Sequence, residues 1–298
     1  MPESEKPKTV RHISDVLVDD GVPNGVYSSV ESADHHARRR LSPTVLSAGF
    51  VDHRDVDAAA IKYSFEQKRE VSAQTQDRMD RGTLAHLALL QPEKLGTHVA
   101  VWKGERRSGG SWEEFRAENG GKLIVPQESY LMVMDAVRQF RFNKDINELL
   151  SDGEAEVEML TKEGRIFCSG QVDFVKRDGS KIVDLKTTDS GLDEKALDYT
   201  TRDFHYREKM ALYRRWYERE CGVEVQQCWN VFLRLKPPVG IVARKFTSQS
   251  LDWGSSRMLA ALMAVDECLD RGFPIFFRSS ISDVAELEMD DIDMETLE

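Results

Sequence analysis

The segment that most limits what this chain can fold into is a pair of β-rich runs. They read Gly170-Gln171-Val172-Asp173-Phe174-Val175 and Lys181-Ile182-Val183-Asp184-Leu185-Lys186-Thr187, and Arg177-Asp178-Gly179-Ser180 lies between them. Asp-Gly between such runs is a strong hairpin signal, because the turn needs positive φ and these residues tolerate it. With Asp178 and Gly179 at the centre of the turn, Val175 faces Ile182, Phe174 faces Val183 and Asp173 faces Asp184. That register predicts two carboxylates directly opposed on one face, with β-carbons roughly 4.5–5.5 Å apart. Lys186, two residues further on, shares that face, while Val172, Phe174, Val183 and Leu185 take the other and pack into a core.

Opposed like charges destabilise a sheet unless something offsets them. A divalent cation does so, and paired carboxylates are hard oxygen ligands suited to Mg²⁺ or Mn²⁺. A lysine beside them can orient or deprotonate a water, or stabilise charge on a phosphoryl oxygen. Upstream, Ala155, Val157 and Met159 alternate with Glu154, Glu156 and Glu158, a strand with one apolar and one acidic face. Any of the three glutamates could reach the same cation. His86 lies among Leu84, Ala85, Leu87 and Leu89. It reads either as a hydrogen-bonded core residue or, as neutral imidazole, as a metal ligand. The residues alone therefore point to a metal-dependent hydrolase.

The rest of the pattern supplies a frame. A helix is expected to start at Ser42-Pro43, and another to span 83–91 between Gly82 and Pro92. Residues 103–121 read as a hydrophilic loop, followed by a helix over 127–140. Strands are expected over 154–159, 165–176 and 181–187, then a helix over 204–220. Strands over 226–235 and 240–247 flank Lys236-Pro237-Pro238, and a last helix spans 251–271. This predicts an α/β fold with a mixed central sheet flanked by helices, preceded by a helical region. The expected division is a polar N-terminal segment (1–40), one domain (41–275, mainly helical to 150 and sheet-bearing from 151) and an acidic tail (276–298).

The formal charge is −11, but residues 283–298 carry eight acidic and no basic residues, which leaves only −3 on the remainder. A local basic groove is compatible with that balance, and cations do cluster at Lys103/Arg106/Arg107, Arg202/Arg207/Lys209 and Arg244/Lys245. Cys168, Cys221, Cys228 and Cys268 lack zinc or iron–sulfur spacing and read as reduced thiols of a cytoplasmic protein. No apolar run approaches the about 20 residues of a membrane-spanning helix.

Asp173 followed by Asp184-Leu185-Lys186-Thr187 resembles the PD-(D/E)xK nuclease superfamily, whose fold is restriction-endonuclease-like. Gly82-Thr83-Leu84-Ala85-His86 is similar to the Gly-Thr-x-x-His helix of its RecE-type (exodeoxyribonuclease VIII-like) branch. Gly109-Gly110-Ser111-Trp112-Glu113-Glu114-Phe115, the helix from Tyr206 to Tyr213 and Lys236-Pro237-Pro238 follow in family order. The resemblance implies a Mg²⁺-dependent exonuclease that degrades the 5′-ended strand of linear duplex DNA and leaves 3′ overhangs. It also implies a single-strand annealing recombinase as partner and a ring-like homo-oligomer. Carried over by position, His86, Asp173, Asp184 and the Leu185 carbonyl would bind metal. Glu156 matches the acidic strand position, as ligand and catalytic residue, and Lys186 would be the catalytic lysine. Where the branch has glutamine, this chain has Lys209, which with Tyr206, Arg106 and Arg107 is a candidate for contacting DNA. A structure-specific or restriction-type endonuclease and a catalytically silent DNA-binding accessory protein are the competing expectations.

Overall fold

The computed structural model describes residues 21–28, 30, 40–47 and 71–271. The continuation of the first expected helix through 48–69 and the acidic tail lie outside these residues.

A six-stranded mixed sheet organises the molecule. Its strands are β1 (Gly25–Tyr27), β4 (Gly153–Glu163), β5 (Ile166–Lys176), β6 (Lys181–Thr187), β7 (Gln227–Arg234) and β8 (Gly240–Lys245), in the order β1-β4-β5-β6-β7-β8. Neighbours are antiparallel except β6 and β7, which run parallel. Parallel strands need a crossover, and here it is made by α7 (Glu194–Asp203) and α8 (Tyr206–Cys221). The hairpin keeps its expected register, but its turn centres on Arg177 and Asp178 rather than on Asp178 and Gly179, and of these only Gly179 takes positive φ. Gly179 takes φ 73°, its N–H bonds the Lys176 carbonyl, and the pairs Phe174–Val183 and Val175–Ile182 hold the expected register.

Helices cover both faces. One core packs α8 and α9 (Ser248–Arg271), through Met210, Leu212, Trp216, Met258 and Leu262, against Val157, Met159, Val172, Val175 and Ile182. The other packs α2 (Ala73–Leu90) and α5 (Gln127–Phe140), through Leu84, Ala88, Val133, Val137 and Phe140, against Phe174, Val183, Leu185, Val231 and Leu233. The short α1 (Pro43–Leu46) is capped as expected, with the Ser42 hydroxyl accepting from Val45 N–H at 3.2 Å.

Several elements differ from their sequence-based outlines. α2 begins at Ala73 behind a Ser72 cap, a full ten residues before the expected start, so Gly82 lies inside the helix. A β-carbon at Gly82 would sit 3.1 Å from the Thr187 hydroxyl, so the glycine is a close-approach residue that lets α2 press on β6. The expected loop over 103–121 instead holds α4 (Gly110–Glu118), whose Trp112 and Phe115 pack on Trp102. On either side of it, β2 (Val99–Trp102) and β3 (Leu123–Pro126) form a separate two-stranded parallel sheet. A 3-10 turn at Pro92–Lys94 and the short helices α3 (Leu95–His98) and α6 (Lys144–Leu149) complete the described elements. No helix among the described residues is long and apolar enough to cross a membrane.

Candidate active site

The β4–β5 ladder keeps one register along its length, yet its pairing lapses at one position. Ala155 pairs with Phe174 and Val157 with Val172, while Glu156 and Asp173 between them do not pair. Glu156 takes a left-handed φ of 53°, and its carbonyl accepts from the N–H of Val30 instead. Such a conformation costs a non-glycine residue about 1–3 kcal/mol and persists only where the surroundings impose it. The consequence is a change of face. Val157 and Val172 belong to the α8/α9 core, whereas Phe174, two residues further along, belongs to the α2/α5 core. The simple alternation that put Val172 and Phe174 on one side of the sheet is therefore wrong, because the left-handed residue breaks the pleat. The acidic face expected along β4 is not a solvent face either, since Glu158 is fully buried.

Asp173 sits at this pivot. The β5–β6 pairing ends at Phe174–Val183, so Asp173 and Asp184 do not form the directly opposed ladder pair that the sequence suggested. The Asp173 carboxylate takes the place of the missing ladder partner: its Oδ2 accepts from the Leu185 N–H, and its Oδ1 lies 3.0 Å from His86 Nδ1. His86 comes from α2, on the opposite side from α8. The side chains of Asp173 and Asp184 still lie within mutual hydrogen-bonding reach, and Lys186 Nζ is ion-paired with Asp184 Oδ2. From α8, the Tyr206 ring covers the ammonium at 5.2 Å. Among the described residues, His86, Glu156 and Asp173 each offer a ligand atom within 4.8 Å of the others. Asp184 stands outside that triad, against Lys186.

The electrostatics show an excess of acid. Burial and the neighbouring Asp173 push the Glu156 carboxyl up to about 7. Burial likewise raises Asp184, to about 6, with Lys186 opposing and Asp173 adding to the rise. Asp173 goes the other way: burial opposes ionisation, but His86 and Lys186 outweigh it and hold the carboxyl well below its usual range. Burial would lower the pKa of His86, yet Asp173 more than compensates and raises it. Lys186, despite burial, is kept firmly protonated by Asp184 and Asp173. It can therefore act here as a fixed cation rather than as a base, which narrows the roles open to it. A cluster of hard oxygen donors plus one imidazole, with two carboxyls driven toward neutrality by burial and by the neighbouring Asp173, fits a divalent metal. His86 could serve as a ligand only as the neutral imidazole.

The remaining candidates divide. Lys209 on α8 lies 5.8 Å from the Tyr206 ring, so it borders the Lys186 end of the centre. Arg107 turns inward, with Nη1 3.5 Å from Asp80 Oδ2 and Nη2 reaching the Ile124 carbonyl. Arg106 is exposed in the loop before α4. Asn230 was missed by the sequence reading. It pairs with Asp184 across the β6–β7 ladder and is 1% exposed. Its signal was an amide inside the apolar run Trp229-Asn230-Val231-Phe232.

Fold and centre together define a restriction-endonuclease-like α/β domain that carries an acid–lysine site at a break in its sheet. The chain belongs to the family described as "PDDEXK-like domain of unknown function (DUF3799)", whose profile matches residues 48–270. No curated protein matches it. The fold is similar to the crystal structure of a "Putative exonuclease" from Eubacterium rectale, with a TM-score of 0.53 and 13% identity over 86% of this chain and 96% of that one. A phage related exonuclease from Haemophilus somnus 129PT aligns at a TM-score of 0.34 with 10% identity, over 78% of this chain and 95% of that one.

Proposed function

We propose that this protein is a divalent-metal-dependent nuclease that hydrolyses phosphodiester bonds of DNA. The observation that carries the reading is the charge imbalance at the sheet break. Glu156, Asp173 and Asp184 converge with His86 beside one fixed ammonium, and Glu156 and Asp184 are driven toward neutrality. Family membership supports it.

His86, Glu156 and Asp173 would hold Mg²⁺ or Mn²⁺, with Asp184 and the Leu185 carbonyl completing the set. The bound ion would polarise a phosphoryl oxygen and make a water acidic enough to attack at neutral pH. The chain's own groups do the rest. The Leu185 N–H and His86 orient the Asp173 carboxylate. Asp184 holds Lys186 in place, and its ammonium stabilises charge that develops on the phosphate as the P–O bond breaks. Tyr206 shields that ammonium from water on one side, and Lys209 contacts an adjoining phosphate.

The finer reading follows the RecE-type resemblance: an exodeoxyribonuclease that removes the 5′-ended strand of linear duplex, leaving 3′ overhangs for a single-strand annealing recombinase, and working as a ring-like homo-oligomer. Linear duplex labelled at one 5′ or one 3′ end, incubated with Mg²⁺, tests it. Early release of the 5′ label with closed circular DNA left intact is expected. Cutting of the circle would make the protein an endonuclease instead, and loss of neither substrate would make it a silent DNA-binding accessory.

A further inference from the structure

One strand away from the acid–lysine centre lies a cleft of about 930 Å³. Its floor is formed by Asn230 and Phe232 of β7, which stand opposite Asp184 and Lys186 in the parallel ladder. Adjacent strands lie about 4.8 Å apart, so an occupant of the cleft is next to whatever occupies the centre. Tyr206 joins the two, its ring 6.2 Å from that of Phe232 and 5.2 Å from the Lys186 ammonium. The walls carry Arg202 from α7, Arg207 from α8, and Arg244 and Lys245 from β8. Asp198 answers one of these, pairing with Arg244 at 2.5 Å, and the cations remain in excess over the acidic lining residues.

The cleft also contains polar groups with nothing to bond. Asn230 is 1% exposed, yet neither its Nδ2 nor its Oδ1 has a hydrogen-bond partner, and the buried Arg207 Nε is in the same state. A buried amide left idle costs stability, so such groups are rare in folded proteins. The kind of idle group matters. A phosphate offers only acceptors and could not satisfy Oδ1, whereas a nucleobase edge presents a donor beside an acceptor, which an asparagine side chain matches bidentately. Phe232, fully buried beneath Tyr206, backs the amide from below, and the surrounding cations suit a sugar–phosphate backbone.

We propose that this cleft holds one unstacked nucleotide of a nucleic-acid strand, adjacent to the nucleotide at the acid–lysine centre. Asn230 bonds the base edge, and Arg202 and Arg207 contact the flanking phosphates. The inference rests on the nuclease reading for the class of substrate and adds a specificity-determining residue to it.

The test is binding by the full chain of a fluorescein-labelled single-stranded oligodeoxynucleotide in EDTA, read by anisotropy alongside the melting temperature. Asn230→Leu removes idle polar atoms at similar volume, so its melting temperature should equal or exceed that of the native protein. Its affinity should fall by about tenfold or more, as loss of a bidentate amide–base contact implies. Arg202→Ala and Arg207→Ala should each flatten the dependence of log K on log salt by about 0.7, the share of one phosphate contact on a single strand. Native affinity in Asn230→Leu would overturn the assignment. Native affinity and slope in both cation variants would also overturn it, even if Asn230→Leu failed to fold. Deoxyadenosine monophosphate competing as well as the oligonucleotide would replace a strand site with a free-nucleotide site. The two readings fail separately. A native protein that binds through Asn230 but never cuts with Mg²⁺ would lose its nuclease assignment while keeping the cleft, and one that cuts with Mg²⁺ but binds equally well as Asn230→Leu would lose the cleft while keeping the nuclease assignment.

Discussion

Strand β4 carries a partly buried glutamate near each end, and the two are treated in opposite ways. Glu163 receives Arg215 Nε at 3.0 Å, Arg219 Nη1 at 3.1 Å and the Trp216 indole N–H at 2.9 Å. Burial alone would raise its pKa, but the two guanidiniums more than offset that and lower it. Glu156, seven residues away, is pushed up to about 7 by burial and then by Asp173, which stands where Glu163 has guanidiniums. A carboxylate supplied with fixed cations is a structural tie. On the proposed reading, carboxylates gathered faster than the chain supplies cations hold a place for a cation from outside. The difference sets a fastening apart from the proposed metal site by charge supply alone.

The largest effect should come from the one ammonium that the acidic end does possess. Lys186→Ala and Asp184→Asn are each expected to cut the Mg²⁺-dependent release of nucleotides by about 10²–10³-fold or more, with cooperative unfolding retained. Activity near the native level in either variant would break the comparison at its functional end.

Next comes the response to metal and pH. Glu156 and Asp184 have folded pKa values of about 7 and about 6, above their ordinary values. The folded state therefore holds protons that the unfolded state has already released. Without metal, these two groups make stability fall as pH rises from about 4 to 7 and level off above. His86, also raised, adds a loss in the same direction at higher pH. A cation binds the ionised carboxylates, so thermal stabilisation by Mg²⁺ should be small at pH 5 and grow through pH 7. At a hundredfold excess over Kd it amounts to about 2.7 kcal/mol. A magnesium shift in melting temperature that is the same at pH 5 and pH 8 would contradict the assigned charge imbalance.

At the other end of β4, Glu163→Gln should cost about 1–2 kcal/mol of stability. That is less than a fully buried pair would lose, because Arg215 and Arg219 are more than a third exposed and partly screened. It should leave the magnesium shift untouched. A variant that lost the shift as well would mean that the two ends are not independent.

The contrast also marks what the sequence could reveal. The hairpin register was legible because the Asp178-Gly179 signal places the turn between two β-rich runs, and counting from it gives the two pairs that form, Val175–Ile182 and Phe174–Val183. The extent of α5 was legible because Pro126 and the apolar spacing bound it. The break at Glu156 was not. Alternation is a period-two argument, and a single residue at positive φ defeats it without leaving a mark in the composition. Hence Asp173, Asp184 and Lys186 come together, but through a lapse in pairing rather than as opposed ladder partners. His86 could be placed on a helix, yet nothing local said that α2 would reach over β6, which depends on Gly82 meeting Thr187. Arg107 shows the converse: a loop cation that reads as a free grip is held by Asp80, 27 positions earlier on α2, and by the Ile124 carbonyl, 17 positions later, and no local spacing reveals either partner.

The smallest effect concerns Glu156 itself, and it separates two costs that coincide at one residue. The carboxyl is held in an acidic surrounding, and the backbone is held left-handed at φ 53°. Glu156→Gln removes the first and keeps the second. Glu156→Gly removes both, because glycine adopts positive φ without the clash of a β-carbon. Without metal at pH 8, both variants should therefore be more stable than the native chain. The glycine variant should exceed the glutamine variant by about 1 kcal/mol, the left-handed penalty less the extra freedom glycine brings to the unfolded state. Both should show a reduced magnesium shift, since each deletes one of the three converging ligand groups. If glycine proved no more stable than glutamine, the turned backbone at 156 would not be strained. The Val30 N–H, which bonds the Glu156 carbonyl at 3.1 Å, would then be enough to hold that conformation by itself.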